Sequence, residues 1–548
     1  MKRKVVITSG LFLSTLLLTG CNLFGSGGSG DVDSTKTQIG ISNYGGGYGT
    51  EWLEALTAKY AEKVKDVEFE PGKKGVQFTL NQEKEHRDTV AKIKGLTSID
   101  IVFDEGIQYN MWATSNCFKD ITEIVNAENP YDGGKTIASK MSGEQQESLL
   151  KNGKYYAMPS YTGSYGITYN QELLDSNSLY FKDGGGWTNA SGKLTKGPDG
   201  IAGTYDDGLP VTQEDFMKLC RQAKTKGLVP LVAAGKTAPY YIPAFLLNYA
   251  ACYEGSDIAK GRFSSSSQGV PVVDLEDPSK VENIDITPSN GYDFFRTEGF
   301  YKAFTLLDNL FSIKNGDSVN KDAYMIDYAD GISSAFNTSI THKAMQKYFV
   351  EGCRNGKNAL MMIEGDWWFN EGIEYIESAY KGDCSKAKFG WMPLPRKSEG
   401  NDSVYYNSLS SYCYVREGID ASKQNAVKDF LLYAYSDEAL NDFTKITNTR
   451  WGLDYSLTSE VRSSLHPFGQ SLNAFYESEK THIIPSVSQD PFFIKNEGSL
   501  VVYHSDYIKL NNASNIVNYL YDERNFTTTG YGYMKELYNV WKKKSIWG

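Results

Sequence analysis

KNGKYYAMPSYTGSYGITYN, residues 151–170, is the stretch on which the architecture turns. Asn152 and Gly153 make a polar turn, Tyr155 to Met158 is short and apolar, Pro159 interrupts, and Tyr165 to Asn170 resumes as a strand. Two strands joined across a proline suit a chain that leaves one lobe and enters another.

Upstream, strand-like and helix-like segments alternate. Gln38–Asn43 is a strand candidate, followed by the glycine-rich turn Tyr44-Gly45-Gly46-Gly47-Tyr48-Gly49. Thr50 is placed to cap the next helix, with Glu51 in its first turn. Trp52, Leu53, Leu56 and Tyr60 then recur at helical spacing. Val76, Phe78 and Leu80 alternate as a half-buried strand, and Val90, Ile93 and Leu96 suggest a helix. Ile99 to Phe103 reads as a buried strand ending at Asp104-Glu105-Gly106. Far downstream, Val427, Phe430, Leu431 and Ala434 mark an amphipathic helix. This alternation predicts an α/β layered fold with a mainly parallel sheet, in which ligands gather at the carboxyl ends of strands. The turn at 44–49 and the acidic strand end at 104–105 are therefore the first candidate positions.

A chain of 548 residues exceeds the size at which one core keeps growing, so two or more lobes are expected. The net charge of −11 argues against nucleic acid and against an electrostatic grip on anionic lipid. Tyrosine alone occurs 38 times, more hydroxyl-bearing rings than a core needs, so many belong on surfaces or in a cleft. Cys117, Cys220, Cys252, Cys353, Cys384 and Cys413 are widely and irregularly spaced, which fits neither a zinc site nor a small disulfide scaffold and suggests buried thiols. Residues 183–210 and 255–290 are rich in Gly, Asp and Ser and read as insertions or surface loops. No solenoid or propeller period is present.

The N-terminus carries an export signal. Lys2, Arg3 and Lys4 precede an apolar run from Val5 to Leu18, and Leu18-Thr19-Gly20-Cys21 closes it. The run is shorter than the roughly 20 residues that span a bilayer. Small residues before Cys21 admit a peptidase, and the Cys21 thiol can accept a diacylglycerol, so this segment resembles a bacterial lipobox. Residues 1–20 are then a signal peptide and 21–36 a flexible Gly/Ser tether. Lipidated Cys21 would hold the folded body on the outer face of the cell membrane.

Several segments, in order, resemble the extracellular solute-binding proteins of sugar-importing ABC transporters, the maltose-binding type. The strand Asp100-Ile-Val-Phe-Asp-Glu-Gly resembles one that ends in binding residues. The stretch 153–170 resembles the first hinge crossing, and Gly356-Lys-Asn-Ala-Leu-Met-Met-Ile-Glu-Gly-Asp-Trp-Trp368 resembles the family's tryptophan segment. Phe389-Gly-Trp-Met-Pro-Leu-Pro resembles the strand leading to the second hinge, and 425–436 the returning helix. The resemblance covers about residues 38–450, and the stretches 183–210, 255–340 and 456–548 lie outside it. It implies a two-lobed, periplasmic-binding-protein-like fold with hinge strands and a ligand cleft. Residues 37–158 and 400–450 would form the N-terminal lobe, and 159–399 with 451–548 the C-terminal one. The implied function is capture of a carbohydrate, an oligosaccharide, by closure of the lobes, and its delivery by a monomeric, non-enzymatic receptor to the ABC permease.

Sugars present apolar ring faces and a rim of hydroxyls, so a site for them wants aromatic platforms and a few carboxylates. In the family the position of Trp367 stacks on sugar. Trp368 would extend that platform or pack in the core, and Glu364 and Asp366 flank the pair. Asp104, Glu105, Tyr44, Tyr48, Tyr161, Tyr240 and Trp451 complete the candidate set, and Tyr241 stands beside Tyr240. Asp199, Asp206 and Asp207, with turn-forming glycines, could wrap a Ca²⁺, although the spacing is not that of an EF-hand. A plain acidic loop is the alternative. A surface glycoside hydrolase or a carbohydrate-binding adhesin are the rival functions, but Glu364 and Asp366 lie two apart on one segment rather than on opposing walls. HExxH and GxSxG are absent, and Gly235-Lys236-Thr237 has Pro230 where a phosphate loop needs its first glycine.

Overall fold

The computed structural model describes residues 32–86, 89–106, 108–234, 240–311, 325–327, 342–352, 358–500, 507–510, 516 and 529–547. The export signal, Cys21, most of the tether, Cys353 and Gly356 lie outside the described residues. Two five-stranded sheets organise the chain. In chain order their strands are β1 (Thr37–Asn43), β2 (Val76–Asn81), β3 (Ile101–Asp104), β4 (Met158–Pro159), β5 (Tyr165–Asn170), β6 (Val229–Ala233), β7 (Met325–Asp327), β8 (Ala359–Gly365), β9 (Phe389–Met392) and β10 (Tyr412–Val415). The helices needed below are α1 (Glu51–Lys63), α2 (Tyr241–Glu254), α3 (Gln424–Ala434), α4 (Asp437–Thr447) and α5 (Pro467–Glu477).

The first sheet runs β2-β1-β3-β10-β4 and the second β7-β6-β8-β5-β9. Both share one plan. Three parallel strands come first, and the fourth place is taken by an antiparallel strand that has just arrived from the other lobe: β10 against β3, and β5 against β8. The parallel strands are wholly buried where they carry unbroken apolar runs, as in IVF of β3 and ALMMI of β8. Pro159 sits in β4, which pairs only with β10, so its missing N–H costs no ladder bond. The stretch 151–170 therefore crosses between lobes as its sequence suggests.

α1 follows β1 and buries Trp52, Leu53, Thr57 and Tyr60 on one face. Its expected Thr50 cap does not form: Thr50 has helical dihedrals and no side-chain cap bond, and its N–H instead donates to the Glu51 carboxylate at 3.1 Å. α3 and α4 return to the first lobe after β10. α5 packs on β9, where the Ser471 hydroxyl accepts the Trp391 N–H at 2.8 Å. Residues 403–406, expected in the first lobe, belong with the second. They pair in parallel with Thr481–Ile484, and Tyr406 N–H donates to Asn248 of α2 at 2.9 Å. The second crossing therefore runs through 407–411. Of the insertions, Tyr180–Phe181 with Trp187–Thr188 and Ser267–Val273 with Val281–Ile286 form antiparallel hairpins. Cys117, Cys220, Cys252 and Cys413 are buried free thiols and Cys384 is half-buried. Among the described residues no helix is long and apolar enough to cross a membrane.

Trp368 belongs to the core, not to a platform. It is fully buried, edge-on to Phe349, Phe369, Phe389 and Phe468. Trp368→Ala should cost about 3–5 kcal/mol of unfolding free energy in urea titration; a loss below about 1 kcal/mol would remove it from the core.

Candidate functional site

The carboxyl ends of β1, β3 and β8 face one another across the junction of the lobes. Register places Asn43 beside Phe103, so the glycine turn and the acidic strand end leave the first sheet together. Tyr44 N–H donates to the Phe103 carbonyl at 3.0 Å and Gly45 N–H to that of Glu83 at 3.1 Å, which fixes the turn. Its glycines answer to crowding. A Cβ on Gly47 would stand 2.3 Å from the Trp367 indole, and one on Gly365 would meet the same ring at 2.2 Å. Trp367 of the second lobe is thus held between its own strand and the bare backbone of the first lobe.

Here lies a cavity of about 200 Å³, walled by Tyr44, Tyr48 and Glu105 from the first lobe and by Tyr165, Tyr240, Tyr241, Trp367 and Glu371 from the second. Trp367 meets Tyr165 edge-on with centroids 4.8 Å apart, and Tyr240 meets Tyr241 likewise at 5.1 Å. Tyr44 is stacked on His86 at 3.8 Å, and His86 Nδ1 lies 3.0 Å from Asp104. Asp104 also accepts the Glu105 N–H at 2.8 Å. It positions its neighbours and does not line the cavity. Glu105 does. Tyr161, itself behind the wall, donates to Glu105 at 2.6 Å, yet burial prevails and pushes the Glu105 carboxyl up to about 7. Glu371 goes the other way. Although burial opposes it, the bond from His342 at 3.1 Å, the charge of that ring and the amide of Gln346 at 2.9 Å hold its carboxyl below the usual range.

Asp366 joins the lobes. Tyr476 of α5 donates to Asp366 Oδ2 at 2.6 Å, and Tyr48 Oη lies 2.6 Å from Oδ1. Tyr48 Oη is also 2.6 Å from the Thr162 carbonyl, which can only accept. One hydroxyl proton cannot fill both positions. If Tyr48 gives its proton to Thr162, the proton on the other contact belongs to Asp366. Burial agrees, pushing the Asp366 carboxyl up to about 7 against the opposing hydrogen bonds of Tyr476 and Tyr48. Glu364, two residues earlier, is fully buried, and burial followed by repulsion from Glu371 lifts it well above the carboxylate range. Neither Glu364 nor Asp366 lines this cavity.

A larger cavity of about 680 Å³ opens beyond this bridge, with Trp451, Tyr412, Tyr476, Arg450 and Glu477 in its lining. Trp451 is mostly core, edge-on to Trp52, Phe103 and Phe443, with its indole N–H on the Pro159 carbonyl at 3.0 Å. Five of the sequence candidates, Tyr44, Tyr48, Glu105, Tyr240 and Trp367, therefore share one wall system. Trp451 edges the other cavity, and Tyr161, Asp104, Asp366, Glu364 and Trp368 stand behind. The sequence reading missed Tyr165, Glu371, His342, Lys84, Lys343 and Leu409. Only Glu371, one helical turn past Trp367, and Tyr165, inside the crossing stretch, carry a local signal.

The acidic loop does not fit a calcium site. Asp206, Asp199 and Asp207 accept the N–H groups of Asp199, Ile201 and Gly203 at 2.8, 2.7 and 2.7 Å. Among the described residues no three His, Cys, Asp or Glu groups converge on a metal position. The buried Arg396 guanidinium, donating to the Pro198 carbonyl, brings positive charge to the loop instead.

No protein-family model matches the chain, and no curated protein matches it in sequence. Solved structures do match in shape. A protein from a study of xylan utilization by the thermophilic bacterium Caldanaerobius polysaccharolyticus superposes with TM-score 0.54 at 12% identity, covering 92% of this chain and 99% of its own. A chitin oligosaccharide binding protein gives 0.53 at 15%, covering 92% and 98%. A probable secreted solute-binding lipoprotein from Streptomyces coelicolor gives 0.51 at 11%, covering 93% and 100%. At such identities the likeness is one of fold: two α/β lobes with a cleft between them.

Two outcomes follow from this geometry. An acid raised in the folded state stabilises the fold at low pH and loses that contribution as pH rises through the raised value. Asp366→Asn supplies a neutral amide, so its melting temperature should fall less than the unmodified chain's between about pH 5 and about pH 8; parallel profiles would clear Asp366 of the effect. Gly47→Ala should hold the lobes apart, read as a larger radius of gyration in small-angle scattering. An unchanged radius would mean that the indole yields to the methyl group.

Proposed function

We propose that this chain is the substrate-binding lipoprotein of an ABC importer, closing two lobes on a carbohydrate and presenting it to the membrane permease. The observation that carries this reading is the cavity at the lobe junction. It pairs the Trp367 and tyrosine rings, suited to the apolar faces of a sugar, with Glu105 and Glu371, suited to its hydroxyls. The fold supports it, and the structural neighbours named above include an oligosaccharide binder and a solute-binding lipoprotein. Binding favours the closed form by the extra contacts the ligand makes when both walls reach it. The lipobox at Cys21 and the tether to residue 36 would keep the receptor on the outer face of the membrane, since stable anchoring takes two acyl chains.

The hydrolase reading keeps one observation of its own. Glu105 and Glu371, from opposite lobes, line the same cavity with carboxyls displaced in opposite directions, as an acid and a nucleophile would be. Release of reducing ends from a bound oligosaccharide would favour it over the receptor.

A thermal-shift screen against mono- and oligosaccharides should find at least one that raises the melting temperature. Trp367→Ala should then weaken that sugar at least about 100-fold, or ~2.7 kcal/mol, with the far-UV spectrum kept. Unchanged affinity would remove Trp367 from the site, and stabilisation by a peptide or ion alone would replace the ligand class.

A further inference from the structure

We infer that the larger cavity is a second binding site, for a neutral polyhydroxylated molecule, and that its occupant favours closure of the lobes over Trp367. This goes beyond the receptor reading of the smaller cavity.

Position comes first. The larger cavity takes one wall from residues 139–149 of the first lobe and another from 476–485 of the second, with the third crossing, 450–456, between them. The crossing segments divide their side chains between the chambers. Thr162, Asn407 and Tyr412 go to the larger, and Tyr165 and Leu409 to the smaller. The bridge from Tyr48 through Asp366 to Tyr476 runs between them, with Tyr48 on one cavity and Tyr476 on the other. Two chambers on opposite sides of one hinge cannot both shrink in a single rotation. The volumes, about 680 Å³ against about 200 Å³, are those of a molecule shut on the Trp367 side and open on the other.

Chemistry names the occupant. Apart from Asp454, which is exposed to solvent, the charged groups in this wall are matched. Glu477 accepts Arg450 at 3.0 Å and Arg462 at 2.9 and 3.1 Å, and Glu144 accepts Lys260 at 2.6 Å. An ion would find no uncompensated partner among these pairs. The wall also offers the Tyr412, Tyr476 and Trp451 rings and the side chains of Thr162 and Asn407. Aromatic rings beside neutral hydroxyl and amide side chains suit a sugar-like molecule. The volume lies inside the ~300–1,000 Å³ range of small-molecule sites. Because a filled chamber keeps its walls apart, its occupant shares the closed state with the occupant of the smaller cavity, and each must tighten the other.

The test uses the chain carrying Trp367→Ala, titrated calorimetrically with maltotriose as a neutral trisaccharide. One weak site per chain is expected, and adding Ser456→Trp or Ser139→Trp, which plug the cavity from its exposed rim, should abolish it. With Trp367 intact the same plugs should act as permanent occupants. They should lower the ligand-free radius of gyration and raise the affinity of a sugar in the smaller cavity roughly three- to tenfold. No heat from the Trp367→Ala chain overturns the second site, as does heat that both plugs leave unchanged. Plugs that leave the radius and the affinity unmoved overturn the coupling. The unmodified chain separates the two readings: if it binds the trisaccharide once and Trp367→Ala binds none, the smaller site stands and this inference fails.

Discussion

Asp366 stands at the end of β8 with Tyr48 of the first lobe on one oxygen and Tyr476 of the second on the other. Burial pushes its carboxyl up to about 7, and if Tyr48 gives its proton to the Thr162 carbonyl, the proton on the other contact is the acid's own. Much else follows from that bridge. It brings the glycine turn within reach of Trp367 and sets Tyr48 as a wall of one cavity and Tyr476 as a wall of the other. A chain with a net charge of −11 therefore carries acids at its centre that burial drives toward their neutral form.

The crossing at 151–170 was legible because its signals are local: a turn, a proline and a strand-like alternation within twenty residues. The parallel strands were legible for the same reason, as unbroken apolar runs. Side chains at the cleft were harder. Trp367 and Trp368 are neighbours in sequence, yet one lines the cavity and the other fills the core, because the chain turns from strand to helix between them. Asp104 and Glu105 part in the same way. His342 and Lys343 reach the wall from a helix no motif marks, and only the fold brings them there. Residues 403–406 went astray because a short strand carries no mark of its lobe: it joins neither five-stranded sheet and pairs instead with Thr481–Ile484, far along the chain. The acidic loop left two readings open because carboxylates that wrap a metal and carboxylates that accept backbone N–H groups share one composition.

Glycine at 47 and 365 shows how tightly the lobes approach. An indole lies between two positions without side chains, so the closed state depends on bare backbone as much as on the groups that touch a ligand. On the proposed reading, residues that contact a ligand and residues that let the lobes shut are thus partly separate.

The exchange of strands between lobes bears on how the polypeptide is made. The fourth place of the first sheet, between β3 and β4, belongs to β10 at residues 412–415. Until that segment has emerged, β3 offers an open edge and β4 has no partner in the sheet. The N-terminal lobe, first to be synthesised, cannot finish before most of the second has followed it. Pairings of such long sequence separation form slowly. If the chain is exported and anchored as proposed, a delay built into the order of its strands would keep the early lobe pliable until translocation is nearly done.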